Sequence, residues 1–328
     1  MSLSTPDTGE EPLVVAIDDG YASYDQEESL LREAGARFVL RPVHGNAQFA
    51  ADAVRDASIV LVRESPVQRA AIDGMVRCRA VIRYGIGVDN IDLQAARERR
   101  IPVANVPDYG TDEVSTQAVA LALALNRHLL PHDREVRAGR WSNGVLVPMH
   151  RLRGRVLGLA GYGRIARMTQ AKFAGFGFSR VLVHDPGSSP LPEATVRCEL
   201  DELCREADVI SLHTPLTPHT RGMIDARRLA LMKPTTLLIN TARGGLVDTE
   251  ALCQALASGR LGGAGLDVLD PEPPAAEHPL LKLNNVIITN HIGWYSEESL
   301  RDLQRKAAEE AVRALRGEPL LNWLNPWN

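Results

Sequence analysis

Cysteine is scarce in this 328-residue chain, with only Cys78, Cys198, Cys204 and Cys253. None stands in a Cys-x-x-Cys pair and no histidine pair lies near Cys198 and Cys204, so the chain lacks a zinc-site signature and no metal is expected. The thiol usage fits a reducing, cytoplasmic setting. An excess of positive charge is also missing. Lysine and arginine number 37 against 41 aspartate and glutamate, a net charge of −4, which argues against nucleic-acid binding driven by bulk charge. The arginines at 97, 99, 100, 151 and 153 read as solvated faces. Long apolar runs are absent too. The longest, Ala118 to Leu125, is far short of a membrane span. The opening MSLSTPDTGEEP has neither the basic nor the apolar region of a signal peptide, and its first ten or so residues are expected to lack order. No short repeat or low-complexity tract occurs.

What is present is the composition of a globular protein, 45% hydrophobic and 24% charged, at a length that suggests two domains. Short apolar strands alternate with helical patterns. Strands are expected at 13–17, 38–40, 59–62 and 80–84, with a helix over 26–34 closed by Gly35. A second alternation has strands at 156–160, 181–184, 208–212, 236–240, 263–267 and 286–288. Such alternation means βαβ units and parallel sheets, here two doubly wound domains. Between them, 112–130 reads as one long helix that is apolar almost all round and must be covered on most sides. A domain junction, a subunit interface or a plain core would each do so. The run 296–317 reads as a charged amphipathic helix packing back on the first unit. Ligands collect at the carboxyl ends of strands in such sheets, and Arg63 and Gly85-Ile86-Gly87 follow two of these ends.

Gly161-Tyr162-Gly163-Arg164-Ile165-Ala166 matches G-x-G-x-x-G/A, and it follows a strand and opens a helix. Asp185 ends the next strand, 22 residues after Gly163. This is a dinucleotide fingerprint. Gly161 permits the tight turn, and Gly163 lets main chain approach a pyrophosphate at a helix N-terminus. Asp185 can accept hydrogen bonds from a ribose and would repel a 2′-phosphate, so NAD is favoured over NADP. Glycines needed for packing alone are the plainer alternative.

Three later strands run into Arg243, Glu272 and His291. In a parallel sheet these ends share one edge, so the three side chains can converge on a nicotinamide. Arg243 can bind a carboxylate in a fork that lysine cannot copy. His291 can donate a proton to a carbonyl oxygen as hydride reaches carbon, and act as base in reverse. Glu272 can hold the imidazole and favour its charged form. Taken singly, Arg243 also reads as a loop charge, Glu272 as a solvated acid between prolines, and His291 as a core histidine.

The stretches RYGIGVDNID (83–92), GYGRIA (161–166), HTPLTPHTRGMI (213–224), NTARGGLVD (240–248), GLDVLDPEPP (265–274) and NHIG (290–293) resemble the D-isomer-specific 2-hydroxyacid dehydrogenases. The resemblance runs from about Val14 to Leu315. It implies two Rossmann- or flavodoxin-like domains with the active site in the cleft between them. The substrate-binding domain would be split over 1–108 and 297–328, with an NAD-binding domain inserted at 109–296 and a homodimer formed through the insert. It implies that Arg243, Glu272 and His291 are catalytic, and that Arg164, Ile165, Asp185, Thr214, Thr241 and Asp267 join Gly161, Gly163 and His291 at the cofactor. Ile86 and Gly87, with Tyr84 and Gly85 beside them, match the loop that meets the substrate carboxylate. Within the family, WYSEES (294–299) looks most like the C-terminal-binding protein branch, in which Trp294 would wall an apolar substrate pocket or pack at a domain interface. That branch raises a second possibility, an NAD(H)-sensing scaffold that binds partner peptides. Arg63 and Arg83 raise a third, a phosphorylated or phosphonate substrate, although each also reads as an ordinary ion-pairing residue. Asn290 stands where the family usually has proline, so the approach to His291 is expected to be less rigid. The appended regulatory domain of the longer phosphoglycerate dehydrogenases is not expected.

Overall fold

A computed structural model describes residues 11–141, 148–187 and 190–327; the stretch expected to lack order at the N-terminus lies outside them. The chain divides into two compact units, the described part of Met1–Gly110 with Ser296–Asn328, and of Thr111–Tyr295. Among the described residues no helix is long and apolar enough to cross a membrane.

The first unit holds β1 (Leu13–Ala16), β2 (Arg37–Leu40), β3 (Ile59–Val62), β4 (Ala80–Arg83) and β5 (Val103–Asn105). They pair in parallel in the order β2-β1-β3-β4-β5. β1 and β3 are buried along their whole length, as expected of a sheet covered on both faces. Leu13, Val15, Val60, Val62, Val81 and Val103 pack with residues of the helices Ala47–Val54, Arg69–Gly74 and Leu93–Glu98. Their alternate neighbours face the other way, where helix Glu297–Leu315 meets helix Asp25–Glu33, β3 and β4. Ser296 caps that last helix through a reciprocal box with Ser299. The edge strand β5, only three residues long, has no pattern that the sequence reading could have caught. Asn325 binds it from the chain end, bonding to Val103 N and Ile101 O at 2.8 and 2.9 Å.

The second unit holds β6 (Val156–Ala160), β7 (Arg180–His184), β8 (Thr195–Arg197), β9 (Val209–Leu212), β10 (Leu237–Asn240), β11 (Gly263–Leu266) and β12 (Val286–Ile288). The order is β12-β11-β10-β9-β6-β7-β8, all parallel. The chain winds outward from β6 to β8, then returns to β9 on the other side of β6. The crevice between β6 and β9 is therefore a switch point at which open sheets of this kind bind ligands.

The long helix expected over 112–130 is instead two helices, Thr111–Asn126 and Leu129–Arg137, separated by His128 in a left-handed conformation (φ 47°). The apolar pattern stops at Asn126-Arg127-His128, and Pro131 is tolerated only in the first turn of a helix, where its missing N–H costs nothing. The first of these helices does not need covering all round. Ala118, Leu121, Ala122 and Leu125 pack as a stripe against Leu157, Leu159, Val209 and Ile239 on one face of the sheet.

Candidate active site

The turn after β6 carries the glycine loop. Gly161 has φ 87°, and a Cβ there would lie 2.6 Å from the His213 carbonyl oxygen and 2.9 Å from Thr214 N. The loop thus passes directly over the main chain that follows β9, and only glycine fits. Gly163 caps helix Arg164–Phe173 with no side chain of its own. The first N–H groups of that helix have no side-chain cap, and a phosphate can take them. At the end of β7, Asp185 accepts from Tyr162 N at 2.8 Å and Gly187 N at 2.7 Å. Its carboxylate is a quarter exposed, so lone pairs remain for a ribose. Thr241, after β10, is buried and its hydroxyl has no hydrogen-bond partner. A buried hydroxyl without a partner among the described residues, on the strand-end edge of the same sheet, fits a polar ligand. Arg164 is exposed, and Ile165 and Thr214 are half-buried.

At the same edge, the loops after β10, β11 and β12 bring the acid/base residues together. His291 Nδ1 lies 2.8 Å from Glu272 Oε2, and Glu272 Oε1 accepts from Leu269 N at 2.8 Å. Burial pushes the Glu272 carboxyl up, but the His291 hydrogen bond and charge, the Leu269 amide and the nearby Arg243 outweigh it, and the net position is below the ordinary value. The Arg243 turn is set by Asn240, whose Nδ2 donates to Arg243 O at 2.8 Å and whose Oδ1 accepts from Ala242 N at 3.0 Å. Arg243 Nη1 donates to Ala242 O at 2.7 Å. The next residue, Gly244, is in contact with the Glu272 loop, because a Cβ there would sit 2.0 Å from both the carbonyl carbon and oxygen of Leu269.

Asp267 is 3% exposed, and its carboxylate holds the turn around His291. Oδ1 accepts from Ile292 N at 3.0 Å, and Oδ2 from Gly293 N at 2.9 Å. Asp267 was expected at the cofactor, and its carboxylate also has this structural use. Trp294 is half-buried and meets Tyr295 edge-on at 5.6 Å.

Arg63, Arg83 and Tyr84–Gly87 belong to the first unit. The Arg63 guanidinium lies 5.3 Å from the centre of the Tyr21 ring and donates to Gly20 O at 3.2 Å. Its main chain is fixed by Asp18, which accepts from Arg63 N at 2.7 Å and Ser65 N at 3.1 Å. Tyr84 was expected at the substrate, but its ring is 3% exposed and its hydroxyl donates to buried Glu27 at 2.9 Å. Large aromatic surface drove it into the core, leaving main chain as its contribution to the loop. Asn105 Nδ2 donates to Ile86 O at 2.6 Å and holds that loop. Asp18 and Asn105 were missed by the sequence reading because neither lies in a recognisable motif; Asp18 does follow a strand end, which could have flagged it.

A doubly wound unit with this glycine loop and acidic strand end is the nucleotide-binding part of an NAD-dependent oxidoreductase. Residues 119–293 match the family model of the D-isomer specific 2-hydroxyacid dehydrogenase NAD binding domain. A hydroxypyruvate reductase of Blautia hydrogenotrophica is 36% identical over 275 residues, 81% of this chain and 85% of that protein. A D-3-phosphoglycerate dehydrogenase of Methanocaldococcus jannaschii is 37% identical over 277 residues, 83% of this chain and 52% of that protein, so the chain spans about half that relative's length. The structure of D-lactate dehydrogenase from Aquifex aeolicus with NAD and lactic acid matches with a TM-score of 0.86 at 26% identity, covering 96% of this chain and 100% of that one. The chain belongs to the D-isomer-specific 2-hydroxyacid dehydrogenases.

Proposed function

We propose that the protein reduces a 2-oxo acid to an (R)-2-hydroxy acid with NADH, or runs the reverse oxidation, with His291 as acid/base. The observation that carries this is the 2.8 Å contact of His291 Nδ1 with Glu272 Oε2 on the strand-end edge of an NAD-binding domain. Bound NADH supplies the hydride. Glu272 takes Nδ1, which leaves Nε2 of His291 to give its proton to the carbonyl oxygen. The Leu269 amide keeps the Glu272 carboxylate in place beside the ring. Arg243 binds the substrate carboxylate as a planar fork. Gly161, Gly163, Arg164, Ile165, Asp185, Thr214 and Thr241 would hold the cofactor. Ile86 and Gly87 in the first unit, and Trp294 in the second, would contact the substrate.

The test is NADH consumption by purified protein against pyruvate, 4-methylthio-2-oxobutyrate, phenylpyruvate, hydroxypyruvate, 3-phosphohydroxypyruvate and phosphonopyruvate. Turnover of at least one acid, abolished by His291→Ala, supports the reading. Tight NADH binding with no turnover of any acid counts against it.

A doubly anionic substrate is a second reading, supported by Arg63 and Arg83 at the strand ends of the first unit and by the likeness to a phosphoglycerate dehydrogenase. Unchanged KM for the phosphorylated acids in Arg63→Ala and Arg83→Ala would remove it. The Trp294–Ser299 stretch supports a C-terminal-binding protein-like scaffold role, for which partner capture would survive His291→Ala. A homodimer formed through the second unit is supported by exposed Leu129, Val136 and Trp141, and light scattering tests it. The four free thiols agree with a cytoplasmic setting.

A further inference from the structure

His291 is in the left-handed region, with φ 56°, a conformation disfavoured for any residue with a Cβ. The residue before it is Asn290, whose backbone is freer than a proline's. The turn must therefore be held by its surroundings. Asp267 does this directly. Its carbonyl accepts from His291 N at 2.8 Å, and its carboxylate takes the next two amides.

Asp267 is in turn held from behind. Thr289 Oγ1 donates to Asp267 Oδ1 at 2.5 Å, and Gln117 Nε2 donates to Thr289 Oγ1 at 3.0 Å. A hydroxyl has one proton to give. Because Thr289 receives its hydrogen bond from Gln117, that proton is directed at Asp267. Gln117 comes from the middle of helix Thr111–Asn126, distant in sequence from the turn it reaches. The helix is anchored by its apolar stripe against the sheet, so it offers a rigid point of attachment. Gly293 leaves space for the arrangement, since a Cβ there would lie 2.7 Å from Asp267 Oδ2 and 3.0 Å from Gln117 Cγ.

We propose that Gln117, acting through Thr289 and Asp267, is a positioning residue for His291. The chain Gln117 → Thr289 → Asp267 → Ile292/Gly293 ties the left-handed histidine to a packed helix and supplies the rigidity that Asn290 does not. The proposal rests on His291 being the acid/base. A displacement of the imidazole would leave cofactor binding intact while misaligning the proton donor.

The test compares Gln117→Leu, Thr289→Val, the double variant and Thr289→Ser. Each of the first two is expected to lower kcat about tenfold, with substrate KM and NADH Kd within about twofold, because misplacement acts on the chemical step. The double variant is expected to be no worse than the worse single, as for two members of one chain. Thr289→Ser keeps the hydroxyl and is expected to restore kcat to within about twofold. Additive losses, or an unchanged kcat in Gln117→Leu, would overturn the proposal. A second readout does not need turnover. In protein labelled with 15N-histidine, the Nδ1–H signal of His291, assigned by its loss in His291→Gln, is expected to shift or broaden in both single variants while other histidine signals stay. An unmoved signal in the folded variants also overturns it. A moved signal in an enzyme that reduces no 2-oxo acid would uphold the positioning and sink the reaction instead.

Discussion

His291 and Glu272 meet along one side of the imidazole, Nδ1 to Oε2 at 2.8 Å, while the other carboxylate oxygen is fixed by Leu269 N at the same distance. The pairing therefore does two jobs. It sets which ring nitrogen faces the carboxylate, and it places a negative charge beside the ring. The side chains are 41% and 38% exposed, so water screens the second effect, and the first is expected to matter more to rate.

Replacing Glu272 by glutamine separates these contributions. The amide keeps the size of the side chain and can still bond the ring, but it removes the negative charge. Loss of ring orientation should lower kcat/KM about tenfold to hundredfold at the optimum. Steady-state kinetics of the variant decide, and an unchanged kcat/KM would mean that Glu272 does not position the acid.

Gly244→Ala should be among the most damaging small substitutions. Its Cβ would fall 2.0 Å from the Leu269 carbonyl, which is main chain and cannot rotate aside. The Arg243 loop and the Glu272 loop would have to part. Beside this contact Arg221, from the segment after β9, bonds Asp270 Oδ2 through Nη1 at 2.8 Å, but that pair is 61% and 46% exposed and holds the Glu272 loop only weakly. Gly244→Ala is therefore expected to lower kcat at least a hundredfold, and Asp270→Asn only a few-fold. Comparable losses in the two variants would show that the ion pair, not the close approach of Gly244, sets the place of the Glu272 loop.

Much of this arrangement was legible in the sequence. The dinucleotide fingerprint and the three strand ends carrying Arg243, Glu272 and His291 are local patterns, and a parallel sheet converts them into neighbours. The pieces that were not legible are of two kinds. Short elements such as β5 and β8 are pairs of a larger sheet and have too few residues to show a period. Supporting contacts such as Gln117 with Thr289, or Asp18 with the Arg63 main chain, join residues far apart in the chain and show no spacing at all. The break at His128 has a local signal of a different kind, the polar Asn126-Arg127-His128 that interrupts the apolar run.

Asp185 should govern the choice of cofactor. Its carboxylate keeps two main-chain amides and still faces solvent on one side. Arg197 Nη1 lies 3.8 Å from Oδ1 and donates to Asp185 O at 2.7 Å, a bond to main chain that Asp185→Ser keeps. The variant should raise the KM for NADH about tenfold and let NADPH compete, since the repulsion is gone and a cation remains. Steady-state kinetics with both cofactors test this. Preference for NADH unchanged in the variant would place discrimination elsewhere.

His213 gives the fold a pH dependence of its own. Burial pushes its imidazole down from 6.5 to about 4, and Nε2 lies 2.9 Å from Ser211 Oγ. In the unfolded chain the ring takes a proton near the ordinary value, while in the folded chain it does not until about 4. The unfolded state therefore binds more protons across that window, and stability rises with pH there. The contribution is complete above the unfolded value and is lost as pH falls toward the folded one, with about 2 kcal/mol gone by pH 5. Urea unfolding of wild type and His213→Gln at neutral pH and at pH 5 should show that excess loss only in wild type. Equal losses would mean the ring accepts its proton inside the fold. The neutral form also matters for the site, because the His213 carbonyl underlies Gly161.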